Sequence, residues 1–362
     1  MVIIGIVLSN FTNYGFVYGS NGLDGAEAQW RIPIALQMLF PVFVLIALPF
    51  CVESPRWLAA KGLYDKCFET LAKLEGNGAT ANSDHIQALG NSIISVAKHE
   101  ASIESSWKAA LMDGELQNLR RLVLSGAAGF MHQATGINVV VYYAPIIFQD
   151  IGLDSELSYI MSCVASIFFL IGSILPVFYI ERMGRRRVMM MGACLCGSCM
   201  GVIACCVGVG ENFPSLKISA GWAATAFVFL FEFSFGVGWN SMCWLYGSEI
   251  NSLRMRNKGA AVQCSCNWAT NFLTVMVTPI GFATLSWKFY FVWMGVTLAS
   301  LPWLYLCYPE TTGRSLEQMD FFFAKYRSWN VKKVAHEWVR DPGVSSAGTD
   351  DVKEVSTEVE FV

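Results

Sequence analysis

Asp, Glu, Lys and Arg are absent from residues 1–23, 32–52, 122–149, 157–180, 188–210, 259–287 and 289–308, and an eighth run, 218–248, is broken only by Glu232. About 20 apolar residues carry a helix across a bilayer, and each run reaches that length. A soluble helical bundle would place polar faces at helical spacing, and these runs have none. The pattern predicts an all-α membrane protein with about eight transmembrane helices. Between the second and third runs lies a polar stretch. Its pieces LYDKCFETLAKLEG and IQALGNSIISVAKHEASIE read as short amphipathic helices joined by the loop GNGATANSD. The predicted organisation is two spans in 1–52, a helical insert in 53–121, six spans in 122–308 and a tail in 309–362. From Asp341 the tail is acidic and contains Ser and Thr, a composition expected to be disordered.

Composition agrees with this: 54% of the 362 residues are hydrophobic, 15% are charged, and the mean hydropathy is +0.44. A soluble protein usually carries about a quarter charged residues. The net charge of −3 says less than its distribution. With Met1 on the cytoplasmic side, the inner loops hold Arg182, Arg185, Arg186, Arg187, Arg254, Arg256 and Lys258, whereas the outer segments offer Arg31, Lys217 and Lys288. The positive-inside rule therefore predicts that both termini and the insert are cytoplasmic. The first run lacks the basic leader and small-residue cleavage site of a signal peptide.

Most of the twelve cysteines fall within spans, and CGSC at 196–199 lacks the βαβ setting of a redox pair. It reads as small apolar packing. Asn10-Phe11-Thr12 matches a glycosylation acceptor, but inside a span the match is accidental. Small residues four apart, such as Gly197 and Gly201, favour close helix approach in lipid.

One run is chemically unusual. Residues 130–145 read FMHQATGINVVVYYAP, placing a His, a Gln, an Asn and two Tyr among two glycines and a proline. A buried core helix avoids that mixture, whereas a helix lining a wet path through a membrane can use it. Gly136 and Pro145 permit a broken helix.

Four further motifs lie at span edges: VESPRWL (52–58), ERMGRRR (181–187), SEINSLRMRNKG (248–259) and PETTGRSLEQ (309–318). Together with HQATGINVVVYYAP they resemble the sugar porter family of the major facilitator superfamily, particularly its fungal members. The family patterns are PESPRWL, (D/E)RxGRR, PSEI followed by RxRGKG, PETKGRSLEE and QQxxGINxxxYY. Any one is weak, but five in order, each at the matching span edge, are specific. The resemblance covers residues 1–320. It implies the major facilitator superfamily architecture, amino-terminally truncated: the chain starts in the family's fifth span, so four of the six spans of the first half are expected to be absent. Transport at a normal rate is accordingly not expected of these 362 residues alone.

The resemblance implies transport of a hexose or related polyol by alternating access, alone or together with a proton, with the plasma membrane as location. A sugar presents hydroxyls all round, so its site needs uncharged donors and acceptors beside an aromatic wall. Carried over by motif, Gln133 and Asn138 are sugar ligands and Tyr142 with Tyr143 lies at the outer gate. Trp244 is the aromatic beneath the sugar, and Asn267 and Asn271 are the asparagines of the next-to-last span. Interhelical hydrogen bonding is the alternative role for each amide. Two departures stand out. His132 replaces the first Gln of the family's QQ pair, altering one sugar contact and offering a pH-sensitive group. The family's GPxPW reads Asn240-Ser241-Met242-Cys243-Trp244, which removes a glycine and both prolines from a hinge.

At the cytoplasmic edges Glu53, Arg56, Glu181, Arg185, Arg186, Glu249, Arg256, Glu310 and Arg314 are candidate gating ion-pair residues. Glu181 with Arg185 and Glu249 with Arg256 are expected pairs, able to latch an inner gate. Glu232, an acid within a span, is either a proton site or a hydrogen-bonded helix contact. The spans contain one His and one acid, with no clustered metal ligands or nucleophile–base pair, so enzyme activity, a metal and a cofactor are not expected. The expected partners are a small sugar, protons in a symporter and the bilayer, with no nucleic acid. The rival reading is a truncated or receptor-like membrane protein that binds sugar without moving it, and the coding sequence upstream discriminates the two.

Overall fold

The protein is described by a computed structural model covering residues 2–19, 27–76, 78, 80–102, 107, 111, 114, 116–150, 152–252, 255–314 and 316–331. The acidic end from Asp341 and the inner-loop Arg254 lie outside these residues. The chain forms two compact units, one of residues 1–24 with 107–362 and the other of residues 25–106.

In the smaller unit, α2 (Ala28–Gln37) and α3 (Leu39–Ala47) carry the second apolar run, followed by a tight turn at Leu48–Phe50. None of the side chains in this span is buried, as suits an apolar helix whose solvent is lipid. Three short helices follow: α4 (Pro55–Ala60), α5 (Tyr64–Glu75) and α6 (Asp84–Ser102). They enclose a small core of Leu58, Ala59, Cys67, Leu71, Ile86 and Ile94. The two amphipathic helices predicted for the insert are α5 and α6.

The larger unit begins with α1 (Val2–Tyr14), which runs on into a π-helical turn at Gly15–Gly19. The remaining helices are α7 (Asn118–Ala134), α8 (Ile137–Asp150), α9 (Ser155–Ile174), α10 (Pro176–Met183), α11 (Arg185–Asn212), α12 (Lys217–Phe235), α13 (Met242–Ile250), α14 (Arg256–Leu285), α15 (Lys288–Cys307) and α16 (Leu316–Lys325). Their boundaries follow local chemistry. Asp154 caps α9 by accepting from the Leu157 N–H at 3.3 Å, Pro176 opens α10, and Gly184 at φ +90° separates α10 from α11.

Among the described residues, seven helices are long and apolar enough to cross a membrane. The remaining predicted run, 122–149, is present as α7 and α8, each shorter than a full span because the helix is interrupted at Thr135–Gly136. The run at 218–248 is interrupted differently. Although Ser241 and Cys243 stand where the family has prolines, a π-helical turn at Gly236–Asn240 separates α12 from α13. Such turns supply a local break without a proline.

Packing in the larger unit pairs α11 with α12 and α15, α14 with α7, α9 with α12, and α1 with α9. Lipid tails are as apolar as Leu, so helices in a bilayer associate through close fit rather than through exclusion of water. Glycines supply the fit. A Cβ on Gly197 or Gly201 would stand 2.7 Å from Leu298 or Met294 of α15. At another crossing a Cβ on Gly192 would lie 2.6 Å from the Gly238 Cα, which brings the π-helical turn against α11. Gly192→Val is expected to push these backbones apart and to destabilise the protein by about 1–3 kcal/mol or more. A thermal-unfolding midpoint in detergent equal to wild type would contradict that packing.

Candidate functional site

The interruption between α7 and α8 is built by a residue that only glycine suits. Gly136 adopts φ +83°, and a Cβ there would stand 3.0 Å from Met200 and 3.1 Å from Trp293. Thr135 closes α7 by donating its hydroxyl to the His132 carbonyl at 2.8 Å. The chain then re-enters α8 so that Asn138 faces back across the break. Its amide nitrogen donates to Gln133 Oε1 at 2.6 Å, and both side chains are buried.

His132, also buried, lies edge-on to Phe235 at 5.1 Å and to Trp244 at 6.1 Å between centroids. The last residue of α12 and one from α13 therefore meet the end of α7, across the second interruption. The close approach of α7 to α14 at Gly129, where a Cβ would stand 3.2 Å from the Asn267 backbone nitrogen, sets Asn267 beside His132. Among the described residues, neither His132 ring nitrogen, nor Asn267 Oδ1, nor the Trp293 indole nitrogen completes a well-formed hydrogen bond. Buried polar atoms are normally paired, so atoms left this way are places where a polar ligand can gain a bond.

Asn271, one turn beyond Asn267, is buried as well, and Tyr143 donates to the Val275 carbonyl at 3.4 Å, a further turn along α14. Trp244 is 43% exposed, which leaves part of its ring open to a ligand. Tyr142 is 54% exposed and shares none of these hydrogen bonds or ring contacts. Glu232 is buried one turn before Phe235, and among the described residues its Oε2 is unbonded and it has no hydrogen bond or ion pair to the amide set. Phe235 and Trp293 cannot be picked out from the sequence, since an aromatic among aromatics carries no signal of its own.

A second cluster gathers three of the span-edge motifs. Glu249 of α13 pairs with the Arg185 guanidinium at 3.0 Å and accepts from the Thr311 hydroxyl at 2.5 Å. Glu310 accepts from the Arg185 backbone N–H and from the Thr312 hydroxyl, both at 2.8 Å. Gly184 makes room, because a Cβ there would stand 2.5 Å from a Glu310 oxygen. Arg186 donates to the Tyr305 carbonyl and lies over its ring. The two expected pairings are corrected. Glu181 does not pair with Arg185, because Gly184 breaks the helix between them and with it the i, i+4 register. Glu249 does not pair with Arg256, because Asn251 is extended where α13 ends and Arg185 already occupies the carboxylate. Glu53 and Arg56 lie at the start of α4 in the smaller unit.

The fold and the interrupted spans define a multi-pass helical membrane protein with an uncharged polar cluster at one break and an ion-pair cluster at one edge. The family model for the sugar (and other) transporters matches residues 1–323, and the chain belongs to that family. Among its curated relatives are the MFS-type transporter oryC of Aspergillus oryzae, 36% identical over 89% of this chain and 59% of the relative. Another is the sugar transporter STL1 of Saccharomyces cerevisiae, 30% identical over 90% of this chain and 55% of that protein. The chain thus spans less than two thirds of the length of these relatives. The structure of the proton:xylose symporter XylE bound to 6-bromo-6-deoxy-D-glucose superposes with a TM-score of 0.66 at 21% identity, covering 89% of this chain and 65% of XylE. The inward-open xylose transporter XylE from E. coli gives 0.65 at 20% identity, covering 89% and 63%. These likenesses establish the fold.

Proposed function

We propose that the chain is part of a transporter that moves a hexose or related polyol by alternating access, and that it binds the sugar at the break between α7 and α8. The observation that carries this reading is the buried Gln133–Asn138 amide pair, hydrogen-bonded across that break, with His132 next to Gln133 in α7 and Asn267 beside His132. Amides offer donors and acceptors to hydroxyls without the desolvation cost of a charge. Trp244 supplies the apolar face that a pyranose ring needs. Asn271 extends the polar lining, and Tyr143, tied to α14, stands at the outer gate. Two interrupted spans supply the pivots, and Glu249 with Arg185 supplies an inner-edge latch. The sugar-transporting relatives support the substrate class. No covalent chemistry enters this reading.

The test is uptake of radiolabelled hexoses and polyols into proteoliposomes, with the chain both alone and joined to the part of a relative that it does not span. Saturable uptake of at least one sugar by the joined protein is the expected result. A rate that follows an imposed pH gradient would add proton coupling, with Glu232 and His132 as the groups to replace. Uptake of none would defeat the proposal.

The proposed orientation places both termini and the insert in the cytoplasm of a plasma-membrane protein. In that arrangement the exposed start of α9 is extracellular. Ser155→Cys is therefore expected to react with a membrane-impermeant maleimide on intact cells above the background of the native cysteines. Reaction only after permeabilisation would invert the topology.

A further inference from the structure

Arg120 and Arg121, at the start of α7, are 2% and 0% exposed. A guanidinium so placed is costly unless its donors are paired, and here most partners come from far along the chain. Arg121 forms an ion pair with Asp320 and lies over the Phe323 ring at 4.3 Å. Arg120 donates to the Tyr326 carbonyl at 3.1 Å and to Gln117 Oε1 at 3.0 Å, and its guanidinium sits within 5.3 Å of the Phe323 and Trp329 rings. Gln117 donates to the carbonyls of Phe323 and Tyr326. The segment from α16 to Val331 is thus fastened to the first turn of α7.

The same stretch also packs on α13, and the residues just before it, Tyr308 and Pro309, are fastened there. Tyr246 donates its hydroxyl to the Pro309 carbonyl at 2.9 Å, and its ring lies 4.9 Å from that of Tyr308. Tyr308 in turn donates to the Leu124 carbonyl of α7 at 2.6 Å, while α16 packs directly on α13. α7 and α13 are the half-helices on one side of the two interrupted spans. A segment fastened to both ties together the two elements that alternating access would have to pivot.

We propose that residues 316–331 form a strap that braces the half-helices α7 and α13 through Arg120 and Arg121, so that its docking sets how readily they pivot. This rests on the transport reading for its consequence: the strap governs turnover, while sugar affinity belongs to the break beyond it. Because coupling is reciprocal, whatever lifts the strap from the arginines loosens α7 and α13 together. Arg121 and Asp320 are positioning residues in this scheme.

Asp320 is the accessible partner, its side chain 32% exposed, so Asp320→Ala and Asp320→Glu serve as the test pair in the purified full chain. Hydrogen–deuterium exchange requires no sugar. Asp320→Ala is expected to speed exchange in 316–331, in the first turns of α7 and in the last turn of α13 together, leaving α11 and α15 at wild-type rates, and Asp320→Glu is expected to restore protection. In the transport-competent protein the Ala variant is expected to raise maximal uptake by roughly twofold or more at unchanged sugar KM. Faster exchange confined to 316–331, uniform acceleration throughout, or no acceleration would overturn the brace, as would a KM that moves while turnover stays. If the protein proves to move no sugar, the exchange pattern still decides whether the strap braces both half-helices.

Discussion

Asn138→Ala is expected to weaken sugar binding by about five- to 150-fold, the equivalent of roughly 1–3 kcal/mol. The asparagine lies immediately beyond the Gly136 break, buried, with its amide nitrogen committed to Gln133 Oε1. Its removal takes a donor and an acceptor from the ligand. It also strands the Gln133 carbonyl oxygen, the step that lifts the cost above that of an ordinary lost hydrogen bond. Gln133→Ala is expected to fall in the same range. The double variant is expected to lose less than the sum, since the two residues share one bond. Membrane insertion should be unaffected in all three. Isothermal titration against the transported sugar checks the series, and wild-type affinity in both single variants would make the amides interhelical glue with no ligand role.

The second large effect belongs to Glu249→Ala, for which maximal uptake per inserted molecule is expected to fall about tenfold with sugar KM within about twofold. A change of about 1.4 kcal/mol in the balance between two conformations gives that factor. The pair is partly buried, with side-chain exposures of 13% for Arg185 and 22% for Glu249. It is therefore screened less than a surface ion pair. Removing the carboxylate leaves the guanidinium without its charge partner and the Thr311 hydroxyl without its acceptor. The start of α11 and the 309–312 segment would still be joined through Glu310, but α13 would lose its ion pair to Arg185. Arg256→Ala is the internal control: Arg256 forms no ion pair among the described residues, so its loss should change uptake by less than about twofold. Equal losses in the two variants would remove the latch from Arg185–Glu249.

The spans could be read because uncharged runs of membrane length have few alternatives, and the insert helices because α5 and α6 repeat their apolar positions at helical spacing. The break at Gly136 was legible from the mixture of residues around it, and Gln133, Asn138, Asn267 and Asn271 are all buried. Other features escaped for a common reason: they depend on what distant segments do. The choice of Arg185 over Arg256 as partner of Glu249 is made by the turn at Gly184 and the extended Asn251. The π-helical turn at Gly236–Asn240 contains no proline, and the approach of Gly192 to Gly238 is visible only once α11 lies against it. Arg120 and Arg121 carry no signal in the sequence that sets them apart. Their burial follows from a segment roughly 200 residues further along the chain folding back over them.

The most direct measurement of the central claim is equilibrium binding of a panel of hexoses and polyols to the purified chain, followed by tryptophan fluorescence. Trp244 borders the break beside His132, and Trp293 packs against Gly136, so occupancy of that site should register. The account predicts saturable quenching or enhancement by at least one sugar, stereoselective between epimers, and shifted to at least about fivefold higher sugar concentration in Gln133→Ala with Asn138→Ala. Titrations flat for every sugar, or identical in wild type and the double variant, would contradict it.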